Sequence, residues 1–256
     1  MIIDTHAHYD DKAFDEDREA LIADLQGRGI CRVINSGSSL ASCRRTIELT
    51  EKYDFFYGAL GIHPCDCEEL TEEDVQWIKE MCALDKIVAV GEIGLDYYWD
   101  EPDREIQKKW FARQMELAKD VQLPMVIHSR DAAQDTITMM KEYHAEEAGG
   151  VIHCYSYSKE SAKDYLDMGF YFGVGGVVTF QNGKKLKEVV EYLPMDRILT
   201  ETDSPYLSPV PNRGKRNDSR NLPYVVAEIA RIKGLSVEEV QEQCKANAHR
   251  LYTKLK

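Results

Sequence analysis

The sequence predicts an α/β protein built as a (β/α)8 TIM-type barrel that occupies residues 1–256 as a single domain. Short apolar runs typical of buried strands alternate eight times with longer amphipathic segments. The chain has 256 residues, close to the length of about 250 residues that is typical of one barrel. The alternative, a doubly wound open sheet, is disfavoured because no G-x-G-x-x-G loop follows the first strand. The predicted strands are residues 2–6, 32–36, 55–61, 87–92, 125–128, 150–153, 171–174 and 197–201.

Helix signals lie between these strands. Thr71 and Asp74 form a capping-box pattern at the start of one helix, and Ser158 and Ser236 are suitable N-caps for two others. The first helical segment ends at a glycine, a common helix stop, and the longest one carries apolar side chains at helical spacing. The helices with predicted bounds are residues 13–27, 104–120, 159–168 and 237–244.

The composition is that of a globular protein outside the membrane, with 43% hydrophobic and 30% charged residues. No apolar run approaches the ~18 residues that a membrane span needs. The N-terminal residues have neither the basic nor the apolar region of a signal peptide. Seven cysteines, an odd number without a C-x-x-C pair, are typical of reduced thiols. We therefore expect a cytoplasmic protein with no membrane association.

The net charge of -13 argues against nucleic-acid binding through bulk electrostatics. A local basic cluster or bound metal ions can still reverse the sign at one site. Four cations fall within eight positions, where they either bind phosphates or belong to a solvated loop: Arg213, Lys215, Arg216 and Arg220. Three tyrosines either stack on bases or simply pack: Tyr155, Tyr157 and Tyr206.

Polar residues follow the predicted strands at their C-terminal ends, where a TIM barrel gathers its functional groups. His6 and His8 are two positions apart, so on an extended chain both imidazoles point to one face and can reach one ion. Glu92 and Asp203 follow apolar runs, where an unpaired carboxylate is costly and a cation removes that cost. The groups expected to converge are His6, His8, Glu92, His128, His153 and Asp203. Such a donor set suits one or two divalent ions, Mg, Mn or Zn.

Two divalent ions would lower the pKa of a water molecule and stabilise charge on an attacked phosphoryl or carbonyl group. No serine nucleophile is needed, and neither Ser129 nor Ser156 lies in a G-x-S-x-G elbow. His63, at the end of the third predicted strand, either orients water or substrate or has a structural role. His144 and His249 fall in helical segments, where we expect surface or packing roles.

Five motifs occur in order along nearly the whole chain: residues 3–8 (IDTHAH), 61–64 (GIHP), 91–97 (GEIGLDY), 123–130 (LP, then IHSR) and 201–207 (ETDSPYL). Together they resemble the motifs of the TatD-type metal-dependent deoxyribonucleases, a branch of the amidohydrolase-like barrel superfamily. The resemblance implies a TIM-type barrel, two divalent ions and hydrolysis of DNA phosphodiesters. It also shows departures, because residues 154–157 read CYSY rather than CFSG, and the proline expected soon after Asn217 is delayed to Pro223.

Carried over by position, the resemblance implies that one metal is held by His6, His8 and Asp203. The second would be held by His128 and His153, with Glu92 shared between the two. Asp203 would also accept the proton of the attacking water. The expected catalytic residues are therefore Asp203, Glu92 and His63. The expected substrate-binding residues are Arg130, which follows His128 by two positions and can pair with a phosphate, and the loop residues Arg213 and Lys215.

Three functions follow from the sequence as competing hypotheses. The first is a two-metal nuclease that cuts DNA, trimming single strands from an end. The second is a hydrolase of a small amide, lactone or phosphoester on the same barrel, and the third is a metal-binding interaction scaffold. Glu92 stands where many relatives in the superfamily have a carboxylated lysine, which favours the nuclease. No heptad repeat is visible, so we expect a monomer without a protein partner.

Overall fold

Eight parallel strands form a nearly closed barrel in the computed structural model, which describes residues 1–256. Each strand pairs with the next one along the chain. The first and last strands meet through side chains, since the Thr5 hydroxyl donates to the carbonyl of Thr200 and the Thr200 hydroxyl donates to that of Ile3. The predicted barrel is confirmed and the open-sheet alternative is wrong. The strands are β1 (Ile2–Ala7), β2 (Ile30–Ser36), β3 (Phe56–Leu60), β4 (Ile87–Asp96), β5 (Met125–Arg130), β6 (Gly150–Ile152), β7 (Tyr171–Val174) and β8 (Ile198–Thr200).

Helices alternate with the strands and cover the outside of the barrel, and the largest apolar cluster lies between the two layers. This alternation buries both faces of a parallel sheet, which explains why the strands are apolar throughout. The α-helices are α1 (Arg18–Leu25), α2 (Leu40–Lys52), α3 (Glu72–Met81), α4 (Arg104–Val121), α5 (Ala133–Glu142), α6 (Lys159–Asp167), α7 (Lys184–Tyr192), α8 (Leu222–Lys233) and α9 (Val237–Leu251).

The capping signals in the sequence correspond to real caps. The Thr71 hydroxyl accepts the Asp74 N–H, and the Asp74 carboxylate accepts the Thr71 N–H, which completes a capping box at α3. Ser158 begins α6 and Ser236 begins α9, each accepting an N–H of the first turn. These hydroxyls satisfy donors that have no partner within the helix.

Of the four helices with predicted bounds, two differ from the structure by a single residue at one end and two differ by more. The segment predicted as residues 13–27 is broken into a 3-10 turn (Lys12–Phe14), α1 and a second 3-10 turn (Gln26–Arg28). Asp17 leaves the helical region at φ -137° and ψ 8°, and this breaks the segment. Gly29 at φ 85° ends it two residues later than predicted. Helix α9 continues to Leu251, because its last turns pack against the barrel floor.

The floor of the barrel is a separate apolar cluster at the N-terminal ends of the strands. Most of its strand members are the second residue of their strand, such as Ile3, Tyr57 and Leu199. The C-terminal segment closes this end with Tyr252 and Leu255, both buried. The apolar core therefore fills one end of the barrel and leaves the other end to polar side chains.

Strand β4 is longer than predicted and runs to Asp96 instead of ending at residue 92. Gly94, at φ 147°, lies directly against the backbone carbonyl of His128 on β5, where any side chain would collide. This glycine therefore permits close pairing of β4 with β5 beyond the predicted end of the strand. Strands β6 and β8 end at Ile152 and Thr200, each one residue earlier than predicted.

Candidate metal centre

The six residues expected to converge do meet at the C-terminal mouth of the barrel. They arrive there from five strands, and their nitrogen and oxygen atoms fall into three overlapping sets of possible metal ligands: His6, His8 and Asp203; His6, Glu92 and His153; and Glu92 and His128 together with His63. His6, Glu92 and His153 are almost fully buried, and His8, His128 and Asp203 are partly open to the mouth. The six residues are His6, His8, Glu92, His128, His153 and Asp203.

Glu92 lies at the middle of this arrangement and turns one carboxylate oxygen to each pair of histidines. Its Oε2 is 3.3 Å from His6 Nε2 and 3.5 Å from His8 Nε2. Its Oε1 is 2.9 Å from His128 Nδ1 and 3.1 Å from His153 Nε2. Each oxygen therefore serves a separate set of nitrogen donors.

Asp203 completes the set around His6 and His8. Its Oδ1 is 3.7 Å from His6 Nε2 and 3.5 Å from His8 Nε2. The backbone N–H groups of Thr202 and Asp203 both donate to the carbonyl of His6. These bonds tie the segment after β8 to β1, so that Asp203 reaches the same point as the two histidines.

Hydrogen bonds outside the cluster orient the imidazole rings. His8 Nδ1 donates to the carbonyl of Ser36 at 2.8 Å, and His6 Nδ1 is 3.1 Å from the Ser36 hydroxyl. His128 Nε2 donates to Asp96 Oδ2 at 3.0 Å. Since a carbonyl and a carboxylate only accept, the rings of His8 and His128, in the neutral form that binds a metal ion, turn an unprotonated nitrogen toward the centre.

Asp96 and Glu201 belong to the centre although they were not among the predicted site residues. Glu201 is buried; its Oε1 accepts the Cys154 N–H at 2.6 Å and lies 3.4 Å from His153 Nδ1. Carboxylates behind ligand histidines are a common feature of metal sites. The available signal was position, because Asp96 is four residues after Glu92, and side chains at even spacing share a strand face.

The nitrogen and oxygen donors of the cluster repel one another unless a cation lies between them. His6 Nε2 and His8 Nε2 are only 3.0 Å apart, and both face carboxylate oxygens of Glu92 and Asp203. When the rings are neutral with their outer nitrogens protonated, lone pairs meet lone pairs there. A divalent ion at each histidine pair removes this conflict.

The electrostatics of the cluster keep its carboxylates charged. Burial acts to raise the pKa of Glu92, but the charges of His153 and His6 outweigh it and hold that pKa well below its usual range. Burial likewise opposes ionisation of Asp203, but His8 and its neighbouring imidazoles lower the pKa of that carboxyl. Burial disfavours protonation of His8, yet hydrogen bonding to Asp203 and the charge of Glu92 raise its pKa to about 9, so without a metal ion this ring carries a proton. The two carboxylates therefore attract positive charge, either a proton on an imidazole or a metal ion.

His63 borders the cluster and, unlike His8 and His128, keeps its proton on the nitrogen that faces the centre. Its Nδ1 accepts the backbone N–H of Cys65 at 3.1 Å, so the neutral ring carries its proton on Nε2. Burial, followed by the nearby His128, lowers the pKa of His63 to about 3. Nε2 is 3.8 Å from Glu92 Oε1. His63 is therefore a neutral N–H donor at the edge of the centre.

The predicted substrate-binding residues lie on the rim. Arg130 is exposed, two residues after His128 on β5, and no carboxylate lies within 4 Å of its guanidinium. Arg213 and Lys215 are also exposed and form no ion pair. In contrast, Arg216 is paired with Asp17, so the basic cluster is smaller than the sequence suggested.

Two of the tyrosines considered for base stacking are not available for it. Tyr155 is only 2% exposed and packs inside the protein, so that hypothesis is wrong for this residue. The Tyr157 hydroxyl bonds to Ser129, which holds the ring against β5. Tyr206 remains exposed at the mouth. His144 and His249 are both exposed, as expected, but only His249 lies in a helix, since His144 follows the end of α5.

Comparison with known proteins identifies the family. A family profile described as TatD related DNase matches residues 3–253. The chain belongs to the TatD-related DNase family. An uncharacterized metal-dependent hydrolase of Bacillus subtilis, YabD, is 46% identical over 252 residues, which is 98% of this chain and 99% of that protein. YcfH of Escherichia coli K12, also named an uncharacterized metal-dependent hydrolase, is 32% identical over 255 residues, covering 98% and 96% of the two chains.

A solved TatD structure has the same fold. The crystal structure of YjjV, a TatD homolog from Escherichia coli K12, superimposes with a TM-score of 0.92 at 30% identity and covers 98% of each chain. The present chain is thus a metal-dependent hydrolase of the TatD family. None of its helices combines the length and the apolar composition that a bilayer crossing requires.

Proposed function

We propose that this TatD-family hydrolase cleaves phosphodiester bonds of DNA, acting on single strands from an end. The observation that carries the proposal is the placement of Glu92, whose two oxygens each face a separate pair of histidines. That arrangement suits two divalent ions that share one carboxylate. Two-metal sites are typical of enzymes that hydrolyse phosphate esters.

In this proposal each ion has its own side chains. His6, His8 and Asp203 would hold one ion and His128 and His153 would hold the other, with Glu92 available to both. The mixture of imidazole and carboxylate donors accepts Mg, Mn or Zn. Once bound, the ions supply Lewis-acid stabilisation of the phosphoryl group and lower the pKa of a water molecule.

The protein residues position and move the protons. Asp203 turns Oδ1 toward His6 and His8, while Oδ2 is free to take the proton of the attacking water. Its lowered pKa keeps the carboxylate ionised and able to accept. His63, neutral and protonated on Nε2, donates a hydrogen bond to the departing or non-bridging phosphate oxygen.

The rim provides phosphate contacts in spite of the net charge of -13. Arg130, Arg213 and Lys215 have no carboxylate partner, so their charge is available to a substrate. A guanidinium binds a phosphate through two parallel hydrogen bonds. The seven cysteines are all free thiols, which supports the further proposal that the enzyme works in the reducing cytoplasm.

A substrate panel tests this function. Metal-loaded protein would be incubated with end-labelled single-stranded and double-stranded DNA, with a lactone and with bis(p-nitrophenyl) phosphate, in the presence of Mn or Mg. We expect a ladder of shortened products from the labelled single strand, and none after chelation. Turnover of a lactone or small ester without any shortening of DNA would reject the nuclease in favour of the small-molecule hydrolase. Loss of all hydrolysis in folded, metal-loaded protein would support the scaffold hypothesis.

A further inference from the structure

Two aromatic side chains project from the loop between β4 and α4, beside the mouth of the barrel. Trp99 is 64% exposed and Tyr98 is 55% exposed. Their rings meet edge to face, with centroids 5.2 Å apart and planes at 88°. Trp99 is the most exposed large apolar side chain of the protein, and adjacent exposed aromatics of this kind mark binding surfaces.

The loop holds Trp99 outward through backbone hydrogen bonds. Asp96 Oδ1 accepts the N–H groups of Tyr98 at 2.9 Å and Trp99 at 3.1 Å. The buried Gln107 amide donates to the carbonyls of Asp96 and Pro102, which closes the base of the loop. These bonds fix the backbone at Trp99, and the edge-to-face contact with Tyr98 restricts rotation of the indole, so less conformational entropy is lost when it binds a ligand.

The same loop is connected directly to the metal centre. Asp96 uses Oδ1 for the loop and Oδ2 for His128. Arg130, two positions after His128, places its guanidinium 3.8 Å from the centroid of the Tyr98 ring. One face of Tyr98 is thus covered by an unpaired cation, while the indole of Trp99 remains open beside it.

On the basis of the proposed phosphodiesterase function, we propose that Trp99 is a nucleobase subsite. An unstacked base of the substrate stacks on the indole, and the phosphate next to that base lies against Arg130. Every nucleobase has a π face, so such a subsite tolerates all sequences. Tyr98 is a positioning residue, because it supports the indole edge and holds Arg130 in place.

The surroundings favour a nucleic-acid strand over a protein partner as the occupant. The surface combines an open aromatic face with a guanidinium that lacks a carboxylate partner, which matches the alternation of base and phosphate along a strand. A protein bound over Trp99 would also cover the neighbouring mouth.

Equilibrium binding tests the subsite without requiring turnover. Metal-loaded protein would be titrated into a fluorescein-labelled thymidine strand with phosphorothioate linkages, which slow hydrolysis, and into an abasic strand of equal length. We expect Trp99→Ala to weaken binding of the thymidine strand by roughly 5- to 150-fold, and binding of the abasic strand far less. Trp99→Phe should restore most of the affinity. Tyr192→Ala, at the exposed C-terminal end of α7, is the matched control and should bind both strands like the wild type.

Three binding results would overturn the subsite. The wild type could bind neither strand, or it could bind the thymidine and abasic strands with equal affinity. Alternatively, the ratio of the two affinities in Trp99→Ala could equal that of the wild type. Failure of the proposed function has a separate sign, which is the absence of DNA hydrolysis by the wild type. If DNA is cut, Trp99→Ala should raise KM for the oligonucleotide more than KM for bis(p-nitrophenyl) phosphate, since the small ester offers no base. Equal increases in KM would also count against the subsite.

Discussion

His128 donates a hydrogen bond from Nε2 to Asp96, and this bond turns the opposite ring nitrogen, Nδ1, to within 2.9 Å of Glu92. Asp96 therefore determines which nitrogen of His128 is available at the centre. The same carboxylate also anchors the loop that carries Trp99. One side chain thus controls both the orientation of a proposed ligand and the position of a proposed substrate contact.

The substitution Asp96→Asn separates these two roles. The new amide side chain retains an oxygen for the loop N–H groups but presents an NH2 group to His128 Nε2, so the hydrogen bond is lost. We expect affinity for the more weakly bound divalent ion to fall by about 10- to 100-fold, as measured by calorimetric titration of Mn into the apoprotein. Asp135→Asn, which removes a surface carboxylate paired with Lys108, is the control. Wild-type metal affinity in Asp96→Asn would contradict the role of Asp96.

Asp203→Ala should abolish turnover and leave the barrel folded. The change removes a proposed ligand and the proton acceptor together, so the loss of kcat should exceed about 1,000-fold. Circular dichroism would check the fold, and the metal content would be measured by mass spectrometry. A rate within tenfold of the wild type would refute both roles of Asp203.

His63→Gln distinguishes a proton donor from a metal ligand. His63 Nδ1 is already occupied as an acceptor, which leaves Nε2 as a donor. We expect kcat to fall by about 100-fold while the number of bound ions per chain stays the same. Loss of one bound ion in this variant would instead make His63 a ligand. Because its pKa is lowered to about 3, titration of His63 should not produce the acidic limb of a rate profile measured above pH 5.

The basic loop allows a test of substrate charge. Arg213 stacks on Phe180, 4.3 Å from the ring centroid, with its charge unpaired, whereas Arg216 is held by Asp17 through bonds of 2.8 Å and 2.6 Å. Each lost phosphate contact lowers the slope of log affinity against log salt by about 0.7 for a single strand. Arg213→Ala should show this change and Arg216→Ala should not. A slope in Arg213→Ala equal to that of the wild type would remove the loop from the binding site.

The strand-end residues could be predicted because the geometry is simple. Parallel strands of a barrel deliver their C-terminal ends to one mouth, so His6, Glu92 and His128 had to lie near each other once the fold was recognised. Asp96 was missed for a physical reason. The predicted strand ended at residue 92, but the lack of a side chain at Gly94 allows β4 to continue beside His128.

Contacts between surface residues that are far apart in the chain could not be predicted from the sequence. Arg216 and Arg220 looked available, but Asp17 and Asp24, nearly 200 residues away, face them in the fold. Similarly, Tyr155 and Trp99 are both aromatic residues that follow strands, yet one is buried and the other is largely exposed. Composition and spacing carry no information about which side of a loop packs inward.

Substitution of Tyr252 tests whether the C-terminal segment stabilises the floor of the barrel. Its ring is fully buried in the floor cluster with Ile3 and Leu199, and its hydroxyl has no hydrogen-bond partner among the protein atoms. Tyr252→Ala should lower the free energy of unfolding by about 3–5 kcal/mol, whereas Tyr252→Phe removes no protein hydrogen bond and should stay within about 1 kcal/mol of the wild type. Urea denaturation followed by circular dichroism would measure both. If Tyr252→Ala unfolded at the same urea concentration as Tyr252→Phe, packing of the C-terminal segment against the floor would not contribute to the stability of the barrel.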